Sequence, residues 1–246
     1  MIQLLNNKLI LADTINLLST HRNSLFRCLL IPLILLASFE LLLLPDHLPN
    51  GKSLLGLLYL ATSFFIFFIY ANIAVVIHQI LILAMSIEQS KFGVKPSVKE
   101  WKYIWAIAVL YILPFIGDWA LSDWKLSLTG YSDEVLRVIF LTCNFVIEVF
   151  FIVLLSFGGL VLPHIAIKNE IDFTHALRLS KGHRTSLFLT MFIMALIWEG
   201  LYLLSMKFFH VDSITLILID WIVFTFIGIF NVAILSLAYK RITIKD

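Results

Sequence analysis

Four carboxylates fall inside long apolar runs of this chain: Glu40, Glu148, Glu199 and Asp220. An ionised carboxylate at the centre of a bilayer costs about 2.5 kcal/mol or more, so each needs a partner, water or a proton. The rise per helical residue puts Glu148 near the midplane and the other three toward one surface. Asn144 stands one helical turn before Glu148 and shares its face. Two chemistries fit this set. One is a proton or cation path in which Glu148 titrates. The other is structural: protonated acids in contacts between helices, with snorkelling by those near the interface. No Lys or Arg lies in the core of a run, which favours protonated acids or a water-filled crevice over salt bridges. Of the two, the structural reading is preferred.

A second group is basic. Arg178, Lys181 and Arg184 crowd the stretch PHIAIKNEIDFTHALRLSKGHRTSLF, residues 163–188. Asp172 or Thr174 can cap a short helix there, with Phe173, Ala176 and Leu177 on its apolar side. Gly182 supplies a left-handed stop, and cations at that end suit the helix dipole. Lys181 and Arg184, with Arg178 beside them, can reach anionic lipid at about 1 kcal/mol per charge.

Other chemistry is thinly represented. No GxSxG, HExxH, CxxC or phosphate loop occurs. His78 and His164 are expected to cap or hydrogen-bond at helix ends. Cys28 and Cys143 sit in apolar runs, without metal-ligand or disulfide spacing, and read as packing residues. The chain therefore reads as non-enzymatic, with no metal or cofactor. A net charge of +2 is too small to suggest a nucleic-acid partner, and membrane lipids are the partner expected.

The elements that must carry these residues follow from composition. The 246 residues are 61% hydrophobic and 14% charged, whereas soluble domains are about 45–50% apolar. Apolar runs of bilayer length predict six spans at about residues 25–44, 54–77, 101–116, 135–162, 187–206 and 214–239. Residues 1–20 read as an interfacial helix. They do not read as a cleaved signal, because the first run starts only at Leu25 and ends without a small-x-small site. Pro32 is expected to kink the first span. The second span should continue as helix to about Ser90, beyond the bilayer. Ser97 and Glu100 form a capping box that opens the third, and Trp101, Tyr103 and Trp105 are set as an interfacial belt. Residues 117–134, with DWALS followed by DWKLS, read as the longest loop. Gly158 and Gly159 read as a point of close helix approach in the fourth span. The chain is thus expected to be one all-α integral membrane domain, a polytopic bundle with short amphipathic cytoplasmic helices.

Of the 18 Lys and Arg residues, only Lys52, Lys125, Arg137 and Lys207 fall on one side. The positive-inside rule then puts both termini in the cytoplasm. With Pro163-His164-Ile165-Ala166, Leu179-Ser180-Lys181-Gly182-His183-Arg184 and an apolar helix after them, the chain resembles the YciC-like family of six-span bacterial inner-membrane proteins. It is also similar to the membrane domain fused to some glycerophosphodiester phosphodiesterases. It departs from that family at Ala176-Leu177, where a Ser-Trp pair is expected, and at His183 in place of Asn. The resemblance implies a fold and an inner-membrane location, with a part in envelope or lipid homeostasis. It supplies no catalytic residues. A small proton- or cation-coupled transporter using the carboxylates is the alternative.

Overall fold

The computed structural model describes residues 7–42, 52–84, 97–127, 133–208 and 214–243. Among them the chain is helical and contains no strand. The helices are α1 (Asn7–Thr20), α2 (Arg22–Leu42), α3 (Lys52–Leu83), α4 (Val98–Ser127), α5 (Asp133–Gly158), α6 (Val161–Lys168), α7 (Phe173–Ser180), α8 (Arg184–Phe208) and α9 (Ile214–Thr243).

Among the described residues, three stretches are long and apolar enough to cross a bilayer: Phe65–Leu83 of α3, Arg184–Ser205 of α8 and Trp221–Thr243 of α9. A fourth is formed if Phe145–Gly158 of α5 and Val161–Lys168 of α6, which meet at a 50° bend, are one broken span. Helices also occupy most of the other two expected spans, in α2 and α4, but neither is among these stretches.

Helix α3 has 32 residues, about 48 Å at 1.5 Å per residue. That exceeds a hydrocarbon core of about 30 Å, so the helix tilts or projects beyond it. It ends at Leu83, with Ala84 in a left-handed conformation (φ 50°). The continuation expected toward Ser90 lies outside the described residues. The capping box is present: the Ser97 backbone N–H donates to the Glu100 carboxylate at 2.8 Å, and the Lys99 N–H donates to the Ser97 hydroxyl at 3.2 Å.

Two expectations about element boundaries need correction. Residues 117–127 are not loop but the continuation of α4. After Gly117, DWALSDWKLS has neither Gly nor Pro, and its Ala, Leu and Lys favour helix, so nothing local stops the element. The fourth span, in turn, does not run straight to Leu162, because it breaks after Gly158.

The core gathers around α6. Its residues Val161, Leu162, Pro163, His164, Ile165 and Ala166 are buried in unbroken succession, so protein surrounds this short helix on every side. It packs against α3, α4, α7 and α9. Ile10, Tyr103, Leu187, Met191 and Ile234 are fully or almost fully buried in the cluster that includes α6. Helix α1 packs on α8, α9 and α2, with Ile10 and Thr14 buried.

Candidate functional site

The break between α5 and α6 creates the polar features of the site. In a continuous helix the Phe157 carbonyl would accept from the N–H four residues on. The bend removes that partner and the chain restarts in another direction, with the Gly159 N–H on the Leu155 carbonyl at 2.7 Å and the Leu162 N–H on the Gly159 carbonyl at 3.0 Å. A Cβ on Gly159 would fall 2.5 Å from the Leu155 carbonyl oxygen, so the bend needs glycine there. A Cβ on Gly158 would meet Leu110 of α4 at 3.1 Å, which is the close approach expected of the pair. Pro163 has no N–H to give and is tolerated in the first turn of α6.

Helix α7 supplies the missing donor. The Ser180 hydroxyl, buried at the end of α7, donates to the orphaned Phe157 carbonyl at 2.7 Å and lies 3.1 Å from the Leu177 carbonyl. Arg184 closes the same junction. Its guanidinium lies 4.2 Å from the centroid of the Phe157 ring, and it donates to the Leu177 carbonyl at 3.0 Å and to the Ser180 hydroxyl at 3.3 Å. Between them the chain turns with Lys181 at φ −59°, ψ 123° and Gly182 at φ +89°. The His183 N–H meets the Ser180 carbonyl at 2.9 Å. That is a type II turn, which favours glycine at its third position. Together Ser180, Gly182 and Arg184 fasten α7 to the broken span.

At the other end of α7, Asp172 rather than Thr174 is the cap, accepting from the His175 N–H at 2.7 Å. That backbone hydrogen bond holds the Asp172 carboxyl below the usual carboxylate range, aided by His175, Arg178 and His164 nearby. Ala176 and Ser180 face inward, while Thr174, Leu177 and Arg178 are exposed. Of the three basic residues expected at lipid, Arg178 and Lys181 are exposed and Arg184 is committed to the junction. His183 is buried, and its Nδ1 has no partner among the described residues. Burial pushes its imidazole below the usual histidine range.

Two polar networks tie this end of the bundle together, one among α3, α4 and α9 and one at α6 and α7. His78 of α3 lies 2.7 Å through Nδ1 from the Ser236 hydroxyl and 3.0 Å through Nε2 from the Tyr103 hydroxyl. Ser236 gives its only hydrogen to the Val232 carbonyl at 2.8 Å, so it can only accept from His78. Nδ1 then carries the proton, and Tyr103 donates to Nε2. The chain of donors runs from α4 through α3 to α9. In the second network, His164 Nδ1 is 3.0 Å from the Tyr239 hydroxyl, and the His164 and His175 rings are 5.0 Å apart. Gln79 donates to the Ala166 carbonyl at 3.3 Å, and Lys102 to the Asn169 carbonyl at 2.6 Å. Lys240 reaches the Leu81 carbonyl at 3.4 Å, and Arg241 of α9 pairs with Asp13 of α1.

Both histidines thus hydrogen-bond, as expected, to partners that lie far away in sequence. Tyr103 departs from the aromatic belt: Trp101 and Trp105, four residues apart, share an exposed face, and Tyr103 points from the opposite face into the core. The carboxylates are placed differently from these networks. Glu148 on α5 and Glu199 on α8 are half-buried on helices that pack together, and their charges interact. Glu40, Asn144 and Asp220 belong to α2, α5 and α9, but their side chains lie outside the described residues. Among the described residues no group of three or more His, Cys, Asp and Glu is arranged to hold a metal.

No family model, curated protein or solved structure matches the chain.

Proposed function

We propose that the chain is a six-span, non-enzymatic protein of a bacterial inner membrane, YciC-like, with both termini in the cytoplasm and a part in envelope or lipid homeostasis. The observation that carries this reading is α7: an amphipathic helix fastened to a broken span, with Arg178 and Lys181 left exposed beside Leu177. Such a helix suits a leaflet surface, where apolar side chains enter the headgroup boundary and cations meet anionic lipid. The sorting of basic residues supports the same orientation.

The test is lipid binding by purified protein in nanodiscs of graded phosphatidylglycerol content. Arg178→Gln with Lys181→Gln is expected to weaken anionic-lipid binding by up to about thirtyfold, at about 1 kcal/mol per charge. Unchanged binding would restrict these charges to setting topology. For topology itself, the exposed Thr174 serves as the reporter on α7. Cysteines at Thr174 and Lys125 should label from opposite faces of spheroplasts, and equal labelling would sink the six-span arrangement.

A second reading, a small proton- or cation-coupled transporter, draws its support from the interaction between Glu148 and Glu199. Glu148→Gln distinguishes the two. A stable variant that no longer complements a deletion strain favours transport, and a nearly silent one favours the structural role.

A further inference from the structure

Helix α7 is eight residues long and is flanked by two left-handed residues, Asn169 at φ 59° and Gly182 at φ 89°. Two sets of inward contacts hold it. At its C-terminal end Ser180 and Arg184 engage Phe157 of α5. Near its N-terminal end the half-buried His175 lies against His164 of α6, ring centroids 5.0 Å apart and planes at 48°. His164 is also tied to α9, with Nδ1 at 3.0 Å from the Tyr239 hydroxyl. The charges acting on it are His175 from α7, Lys168 from α6 itself, and Glu170 and Asp172 from the connection between them. Toward α6, α3 presents the neutral Gln79, bonded to the Ala166 carbonyl, and α4 presents Lys102, bonded to the Asn169 carbonyl. Helix α5 meets α7 through the Phe157 carbonyl.

We propose that the His164–His175 contact is a pH-responsive catch, and that protonation of both rings swings α7 away from α6 about Asn169 and Gly182. Histidine is the side chain whose ordinary titration falls in the physiological range. A single proton on the pair is tolerated, because Glu170 and Asp172 supply opposite charge. A second proton sets two like charges side by side at the edge of a low-dielectric core, with Lys168 adding to the repulsion. The ring on α6 is buried and tied to Tyr239, whereas α7 is tethered by two residues that already adopt turn conformations. Separation therefore moves α7. The movement uncovers Ala176 and the Phe157 carbonyl, and it displaces Arg178 and Lys181 relative to the bundle. The Asp172 cap does not cause the release, since its carboxyl is held below the usual range by the His175 N–H and remains ionised in mild acid.

The experiment is a distance measurement on the full chain in nanodiscs of zwitterionic lipid, with Cys28 and Cys143 replaced by Ala. Spin labels go on Thr174→Cys in α7 and on Val109→Cys, an exposed position of α4. A single distance population is expected at about pH 8, and a second, longer one at about pH 5. His175→Gln, which keeps a polar side chain without a titrating ring, is expected to hold the high-pH distribution at both values. Identical distributions in the parent protein at the two pH values would overturn the proposal. So would a shift that persists in His175→Gln, which would move the response to His183 or another group.

Discussion

Helices α3 and α8 are both apolar, yet they solve opposite problems. Of the span Phe65–Leu83 in α3, 78% is buried, against 29% of Arg184–Ser205 in α8. Helix α3 carries its polar groups inward, and the interior satisfies His78 and Gln79 with partners from α4, α6 and α9. Helix α8 turns Leu196, Ile197, Leu201 and Leu204 outward, as a helix facing lipid would. The difference shows where specificity resides. Apolar packing toward hydrocarbon is interchangeable, whereas each buried donor must find one acceptor, and the polar end of α3 can be closed in few ways.

That contrast can be broken most severely at His78. His78→Leu keeps roughly the volume but orphans the Tyr103 hydroxyl and strips Ser236 of its donor. A loss of about 3 kcal/mol is expected, at about 1–3 kcal/mol per abandoned group, read as a lower unfolding temperature in detergent. A smaller, local effect is expected of Ser180→Ala, which leaves the Phe157 carbonyl without its donor. A cost of about 1–2 kcal/mol should appear as faster proteolysis within residues 169–183 while the bundle stays intact.

Acid should act in the same place. His183 is held below its usual 6.5 by burial, so the unfolded chain gains a proton there before the folded one does. Stability is unaffected above about pH 6.5 and falls as pH drops beneath it. Asp172 contributes stability above its ordinary value, lost only as pH falls through its lowered folded value. The unfolding temperature in detergent is therefore expected to fall first, through His183, and protection of the His175 amide later, through Asp172, with Asp172→Asn removing the second phase. The smallest effects belong to α8: Leu196→Ala and Leu201→Ala should each change detergent stability by less than about 0.5 kcal/mol. A loss comparable to that at His78 would mean that this face is covered.

What the sequence discloses of this arrangement is its local part. Ser97 and Glu100 read as a capping box because both partners lie within one turn. Asp172 is one of two caps that spacing allows. The apolar runs announce membrane helices because length and composition suffice. The break at Gly158-Gly159 is harder to read, since a glycine pair serves close packing and bending equally well, and here it serves both. Residues 117–127 mislead because paired Asp and Trp suggest an interface, although their backbone preferences permit helix. Ser236, Tyr239 and His175 carry no local signal of their roles. A serine or tyrosine in an apolar helix has many possible partners, and only the tertiary fold selects His78 and His164.

The link from His78 to Ser236 spans 158 residues, and that separation bears on how the protein is made. Helices enter a membrane in the order of synthesis, so α3 is inserted long before α9 leaves the ribosome. Until then Nδ1 of His78 and Nδ1 of His164 await a neighbour that does not yet exist. Completion of the last helix is therefore the event that seals this end of the bundle. A chain truncated before it would keep its early helices in the bilayer with unmatched polar groups on display, a mark by which a membrane protease could tell an unfinished molecule from a finished one.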